Sequence, residues 1–120
     1  MSTTPQASKD SPAGHRNAVT LCGRLPAEPE PRELPSGDVL LTFRLVVDRP
    51  PERGESRRRV DTIDCAVWSG RVQRTVRSWG AGDIVSVEGH LRRRFRRFEG
   101  GATSRVEVEV IRARRSRQGS

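Results

Sequence analysis

The chain has 120 residues, room for one domain with tails to spare, and with 4% aromatic residues and no Tyr its core must be aliphatic and modest. A formal charge of +8 and a pI near 11.4 point to a polyanionic partner, nucleic acid before membrane. No apolar run approaches the ~20 residues that span a bilayer, no charged-then-apolar leader opens the chain, and two His and two Cys without CxxC or HxxxH spacing are a poor metal set.

Residues 1–16 are Ser, Thr, Pro, Gln, Gly and charge without periodicity, and read as a disordered arm. Order begins at Asn17–Leu25, where Val19, Leu21, Gly23 and Leu25 share one strand parity, with room for a kink at the glycine. Pro26, Pro29, Pro31 and Pro35, followed by Ser36-Gly37, read as a loop that joins no ladder. Val39–Asp48 is the second strand. Leu41, Phe43, Leu45 and Val47 point inward, which assigns Phe43 to the core, while Thr42 and Arg44 point outward. Residues 49–59 form a long polar loop, rich in arginine, with nothing to drive packing; such loops are often functional or disordered.

Val60–Trp68 is the third strand, with Ile63, Cys65 and Val67 on the core parity and Thr62, Asp64, Ala66 and Trp68 on the other. Cys22 and Cys65 fall on opposite parities. They fit reduced thiols in a cytoplasmic protein, although the sequence leaves a disulfide open. Ser69 or Gly70 caps a short helix running to about Trp79, where Val72, Val76 and Trp79 form an apolar face. Arg71, Arg74 and Arg77 lie on its solvated side, and Gly80 and Gly82 end it.

The fourth strand is Ile84–Phe98. Val85, Val87, Gly89 and Leu91 take one parity; Ser86, Glu88, His90, Arg92, Arg94, Arg96 and Phe98 take the other. Glu99–Ala102 is a hairpin turn, and Ser104–Ile111 is a fifth strand alternating through Val106, Val108 and Val110. The domain spans 17–112, and 113–120 read as a basic disordered tail. Five strands with one helix between the third and fourth follow the order of an all-β fold, the five-stranded Greek-key barrel called the OB-fold, a binder of oligonucleotides and oligosaccharides.

Charge is unevenly spread. Residues 1–91 hold 13 Lys/Arg against 12 Asp/Glu, whereas residues 92–120 hold 10 against 3. Lys9 is the sole lysine, and arginine forks pair with phosphate and stack on bases as ammonium groups do not. Five arginines within 92–97, with no acid before Glu99, repel one another unless an anion relieves them. Nucleic-acid contact is therefore expected at Arg92, Arg94 and Arg96, with bases stacking on Trp68 and Phe98. Catalysis finds no support: there is no nucleophile–His–acid spacing, no phosphate-cradling glycine motif before a helix, and no carboxylate pair with reason to be perturbed.

Five segments taken together resemble the bacterial single-stranded DNA-binding protein family: Asn17-x-Val-x-Leu-x-Gly-Arg-Leu25, Pro31-Arg-Glu-Leu-Pro-Ser-Gly37, Phe43-Arg-Leu45, Val85-x-Val-Glu-Gly-x-Leu-Arg92 and Val106-Glu-Val-Glu-Val110. The resemblance implies an OB-fold that assembles as a homo-oligomer, a tetramer before a dimer, and coats single-stranded DNA without sequence preference. It implies no cofactor, membrane or small-molecule substrate. The family's aromatic at the end of strand three corresponds to Trp68, while an earlier one falls at Thr62. The strand-four aromatic falls at Arg96, with Phe98 two residues on as a substitute. Arg24, Arg32 and Arg44 lie in or beside family positions that approach DNA, and Arg58 joins them from the loop. The family's main replication protein ends in an acidic, phenylalanine-tipped tail. Here the sequence reads Arg-Ala-Arg-Arg-Ser-Arg-Gln-Gly-Ser, which suggests an accessory paralogue. Two other readings are an RNA-binding or primosome-type OB protein, and a paralogue that joins other subunits without coating DNA; Asp64 on the outward face favours the latter.

Overall fold

The computed structural model describes residues 13–50, 54 and 59–117. Six strands and one helix follow in order: β1 (Val19–Arg24), β2 (Glu30–Glu33), β3 (Val39–Arg49), β4 (Arg59–Val67), α1 (Gly70–Val76), β5 (Ile84–Phe98) and β6 (Gly101–Arg117). They pair in the order β1-β5-β6-β4-β3-β2, and an extra pairing of Arg24 in β1 with Val46 in β3 closes five of them into a ring. Every pairing is antiparallel except β4–β6, which is parallel at Cys65–Val108 and Ala66–Glu109. A ring of this connectivity, with its helix between the third and fourth members, is the OB-fold that the sequence leads one to expect.

The ring closes because each strand offers one apolar parity. Leu41, Phe43 and Leu45 from β3, Cys65 and Val67 from β4, Val85 and Val87 from β5, and Val108 and Val110 from β6 are buried together. Each such aliphatic side chain contributes roughly 1.5–3 kcal/mol on burial. Helix α1 plugs one end. Ser69 caps it by accepting a hydrogen bond from the Val72 N–H, and buried Gln73 ties it down by donating to the carbonyls of Val39 and Val67. Trp79 is buried edge-on against Phe43, with ring centroids 5.5 Å apart, so both rings belong to the core as their parities imply.

Two glycines allow the strands to cross closely. A Cβ on Gly89 would collide with the carbonyl oxygen of Glu109, and one on Gly23 with that of Val46. Gly89 follows a break in the β5–β6 register, where the hairpin turns away from the body.

The structure departs from the sequence reading at several places. The proline-rich stretch holds a strand after all: β2 pairs with β3, Pro31 lying opposite Leu41. Proline is tolerated there because β2 is an edge strand. The helix is shorter than expected, since Ser78 and Trp79 bond to carbonyls three residues back instead of continuing it. Strand β6 starts at Gly101 and runs to Arg117, taking in residues 112–117, because β5 offers partners from Phe98 back to Ile84. Leu91 and Val106 have the core parity but are 46% exposed each, because the hairpin outgrows the body it packs on. Most of the loop 49–59 lies outside the described residues. Its ends do not: Arg49 and Arg59 pair across β3 and β4.

Candidate nucleic-acid interface

Strand pairing sets the outward side chains of β3, β4, β6 and β5 side by side. Arg44 lies opposite Asp64, Ala66 beside Glu109, His90 opposite Glu109, and Arg92 opposite Glu107. The result is a charged web. Asp64 receives Arg44 at 3.5 Å and Arg105 at 3.4 Å. Arg94 Nε donates to Glu107 at 2.8 Å, and its Nη2 lies 3.6 Å from Glu109. Glu109 also faces Arg92 at 3.5 Å and the His90 ring at 3.7 Å.

Trp68, the first residue past β4, is 39% exposed, and the Arg94 guanidinium lies over its ring at 5.3 Å. The exposed pairs of Asp64 are each worth about 0–1 kcal/mol and the cation–π contact about 0.5–1 kcal/mol, so the strands set the backbone frame and the more sheltered Glu107 and Glu109 place the Arg94 side chain within it.

Of the nine residues expected at the site, the web gathers Arg44, Trp68, Arg92 and Arg94. Arg32, on β2, lines a groove of about 490 Å³ together with Arg44, Asp64 and Arg105, on the flank of the web. Arg24 is exposed at the end of β1, where the ring closes. Arg96 shares the parity of Arg94 and is exposed. Phe98 is 56% exposed at the hairpin tip, its ring packed over Gly101. Four residues beyond Arg94 on a strand, it lies about 13 Å farther out, so it is not a neighbour of Trp68. Arg58 lies outside the described residues.

Three residues of the web escaped the sequence reading: Arg105, Glu107 and Glu109. The signal was present in the alternation of β6, which puts all three on the outward parity; hairpin pairing then sets them against the arginines of β5. The repulsion expected among the arginines is thus partly relieved within the chain. Asp64, which looked unhelpful for a polyanion, is neutralised by two arginines. Phe95 has the core parity yet is 74% exposed on the other face of the hairpin.

Away from this face, Arg49 hydrogen-bonds Asp61 at 2.7 Å, which holds that carboxyl below its usual range and raises the guanidinium. Burial pushes the Cys65 thiol up to about 12, while Cys22 is exposed; both are free. Asp83, buried after the helix, accepts from the Gly80 N–H and faces Arg115 at 3.6 Å. Among the described residues no cluster of His, Cys, Asp and Glu is fit to hold a metal, and no helix is long and apolar enough to cross a membrane.

The chain is similar to "Single-stranded DNA-binding protein 3" of Listeria innocua serovar 6a, 35% identical over 95 residues, which cover 79% of this chain and 58% of that protein. It is likewise similar to "Single-stranded DNA-binding protein A" of Bacillus subtilis, 32% identical over 97 residues, covering 81% of this chain and 55% of that one. The chain therefore spans little more than half the length of these relatives. Among solved structures, a chain of the Plasmodium falciparum SSB complex with ssDNA superposes with a TM-score of 0.70 at 22% identity, covering 83% of this chain and 92% of that chain, which supports the fold. The model of the single-strand binding protein family matches residues 16–116, and on that match the chain belongs to this family.

Proposed function

We propose that this chain binds single-stranded DNA without sequence preference, as a non-catalytic protein of replication, recombination or repair. The observation that carries the reading is a half-exposed indole, Trp68, under the Arg94 guanidinium, on a face that also presents Arg44, Arg92 and Arg105. Arginines neutralise phosphates while the ring accepts a base, the recipe of sequence-independent single-strand binders. Arg24 and Arg32 extend the cationic surface at its flanks and Arg96 along the hairpin, with Phe98 as a second stacking ring; Arg58, outside the described residues, is a further candidate for phosphate contact.

The site functions within a homo-oligomer, a tetramer in our reading. Support comes from β1, which pairs with β5 along its length but, among the described residues, with β3 at Arg24 alone, which leaves ladder positions on that edge for a partner strand. A subunit-joining role without DNA contact loses its main support now that Asp64 is engaged by two arginines. A cytoplasmic, nucleoid-associated location follows from the same reading.

Titration with poly-dT and with matched poly-U at two salt concentrations, with size followed by light scattering, tests this. Tight poly-dT binding that weakens steeply with salt is expected, with poly-U weaker. Equal or better binding of poly-U would shift the assignment to RNA, and binding of neither would remove it.

A further inference from the structure

The web on the candidate face holds almost as many carboxylates as guanidinium groups. Arg44 and Arg105 share Asp64, while Arg92 and Arg94 share Glu107 and Glu109. The second group is the more sheltered: the side chain of Glu107 is 13% exposed, that of Glu109 22%, and that of Arg94 33%. Arg94 is held from both ends, by the two carboxylates of β6 and by the face of Trp68. A base cannot lie on that face of the indole while the guanidinium does. The phosphates that Arg92 and Arg94 would bind must also compete with carboxylate oxygens already in place.

We propose that Glu107 and Glu109 set the affinity of this site by acting as built-in substitutes for DNA phosphates. In the free protein they hold Arg94 over Trp68 and Arg92 beside it, keeping the arginines ordered and the aromatic platform covered. Binding is an exchange: the guanidinium groups pass from carboxylate to phosphate, Arg94 leaves the ring, and a base takes its place. The two carboxylates, once uncovered, face a polyanion and draw cations from solution. That uptake offsets part of the counterion release from DNA, so the affinity is lower and its salt dependence shallower than the arginines alone would give. Asp64 is the control. It pairs with Arg44 and Arg105, whereas the guanidinium that lies over the indole among the described residues is that of Arg94.

This inference rests on the single-stranded DNA reading for its second half only, and the test separates the two. In the absence of DNA, acrylamide quenching of tryptophan emission is compared among wild type, Glu107→Gln, Glu109→Gln and Asp64→Asn. Trp79 is buried, so the change reports Trp68. Glu107→Gln is expected to raise the quenching constant by loosening Arg94, and Asp64→Asn to leave it unchanged. No rise for either glutamate variant, with unchanged thermal melting, overturns the claim that the carboxylates hold the cover.

Oligo-dT binding is then measured for the same proteins across a salt series. Tighter binding at low salt, at least threefold for each glutamate variant, and a slope of log affinity against log salt steeper by about 0.7 for each arginine released are expected. Weaker or unchanged binding by both variants shows the carboxylates to be props for the arginines and overturns the exchange. Should no variant, wild type included, bind oligo-dT, the functional reading falls while the quenching comparison still decides the cover.

Discussion

The guanidinium carbon of Arg94 lies 5.3 Å from the centroid of the Trp68 ring, although their strands are not neighbours: β6 runs between β5, which carries Arg94, and β4, which ends just before Trp68. The arginine therefore reaches across a whole strand, and Glu107 of that strand takes its Nε at 2.8 Å on the way. Trp68 therefore carries a charged group over its ring and remains 39% exposed, unlike the core ring of Trp79 at 3%.

Replacing Trp68 by Ala should weaken oligo-dT binding by about 1–3 kcal/mol, the worth of one stacked base, which is roughly tenfold or more. Because the residue is 39% exposed and carries the Arg94 contact, some stability is lost as well, on the order of 1–2 kcal/mol, less than a core tryptophan would cost. Binding isotherms beside melting curves check both halves. A large loss of stability with unchanged binding would return Trp68 to a structural role.

Arg92 and Arg96 share a parity along β5, with Arg92 beside Glu109 and Arg96 nearer the hairpin tip. If each meets one phosphate, Arg96→Ala should reduce the salt slope of binding by about 0.7 and Arg92→Ala by less, because Arg92 trades Glu109 for its phosphate, whatever the base composition of the strand. A change that depends on sequence, or a slope left intact, would argue against phosphate contact.

Gly89→Ala should be among the most destabilising single substitutions in the chain. Its Cβ would run into the backbone carbonyl of Glu109, which cannot give way as a flexible side chain would, so a loss of several kcal/mol is expected, on the order of 3 or more. Gly70→Ala meets nothing within 4 Å at the first position of α1, and should be neutral or stabilising by up to about 1 kcal/mol. Urea denaturation of the two variants gives the contrast directly.

The cysteines differ in the same measurable way. Exposed Cys22 should react with a thiol reagent in the native protein, and buried Cys65 only in denaturant. Burial raises the Cys65 thiol from 9.0 to about 12, so the folded state disfavours the thiolate. Its contribution to stability is therefore whole below pH 9 and is lost as the pH rises from 9 towards about 12. Wild type should lose more of its urea midpoint across that interval than Cys65→Ala does, and parallel curves would contradict the assignment.

Much of this was legible in the alternation of the strands. Val85, Val87, Val108 and Val110 announce their inward faces, and Phe43 and Trp79 meet in the core as their spacing implies. Two kinds of information were not local. Pro31 looks like a ladder breaker until it is known that β2 is an edge, which only the sheet order reveals. The charges of β5 look unopposed until pairing with β6 sets Glu107 across from Arg92 and Glu109 across from His90. Parity also misleads past Gly89. Leu91, Phe95 and Val106 keep the inward rhythm, but the hairpin has by then run out of core to pack against.

The most direct measurement is the tryptophan emission of wild type and of Trp68→Phe during titration with oligo-dT, with binding followed independently by anisotropy of the oligonucleotide. Quenching that saturates with binding in wild type and is nearly absent in Trp68→Phe, where only buried Trp79 remains, is the expected result. Complete binding with the Trp68 emission unmoved would contradict a base on the indole, and with it the mechanism built around that face.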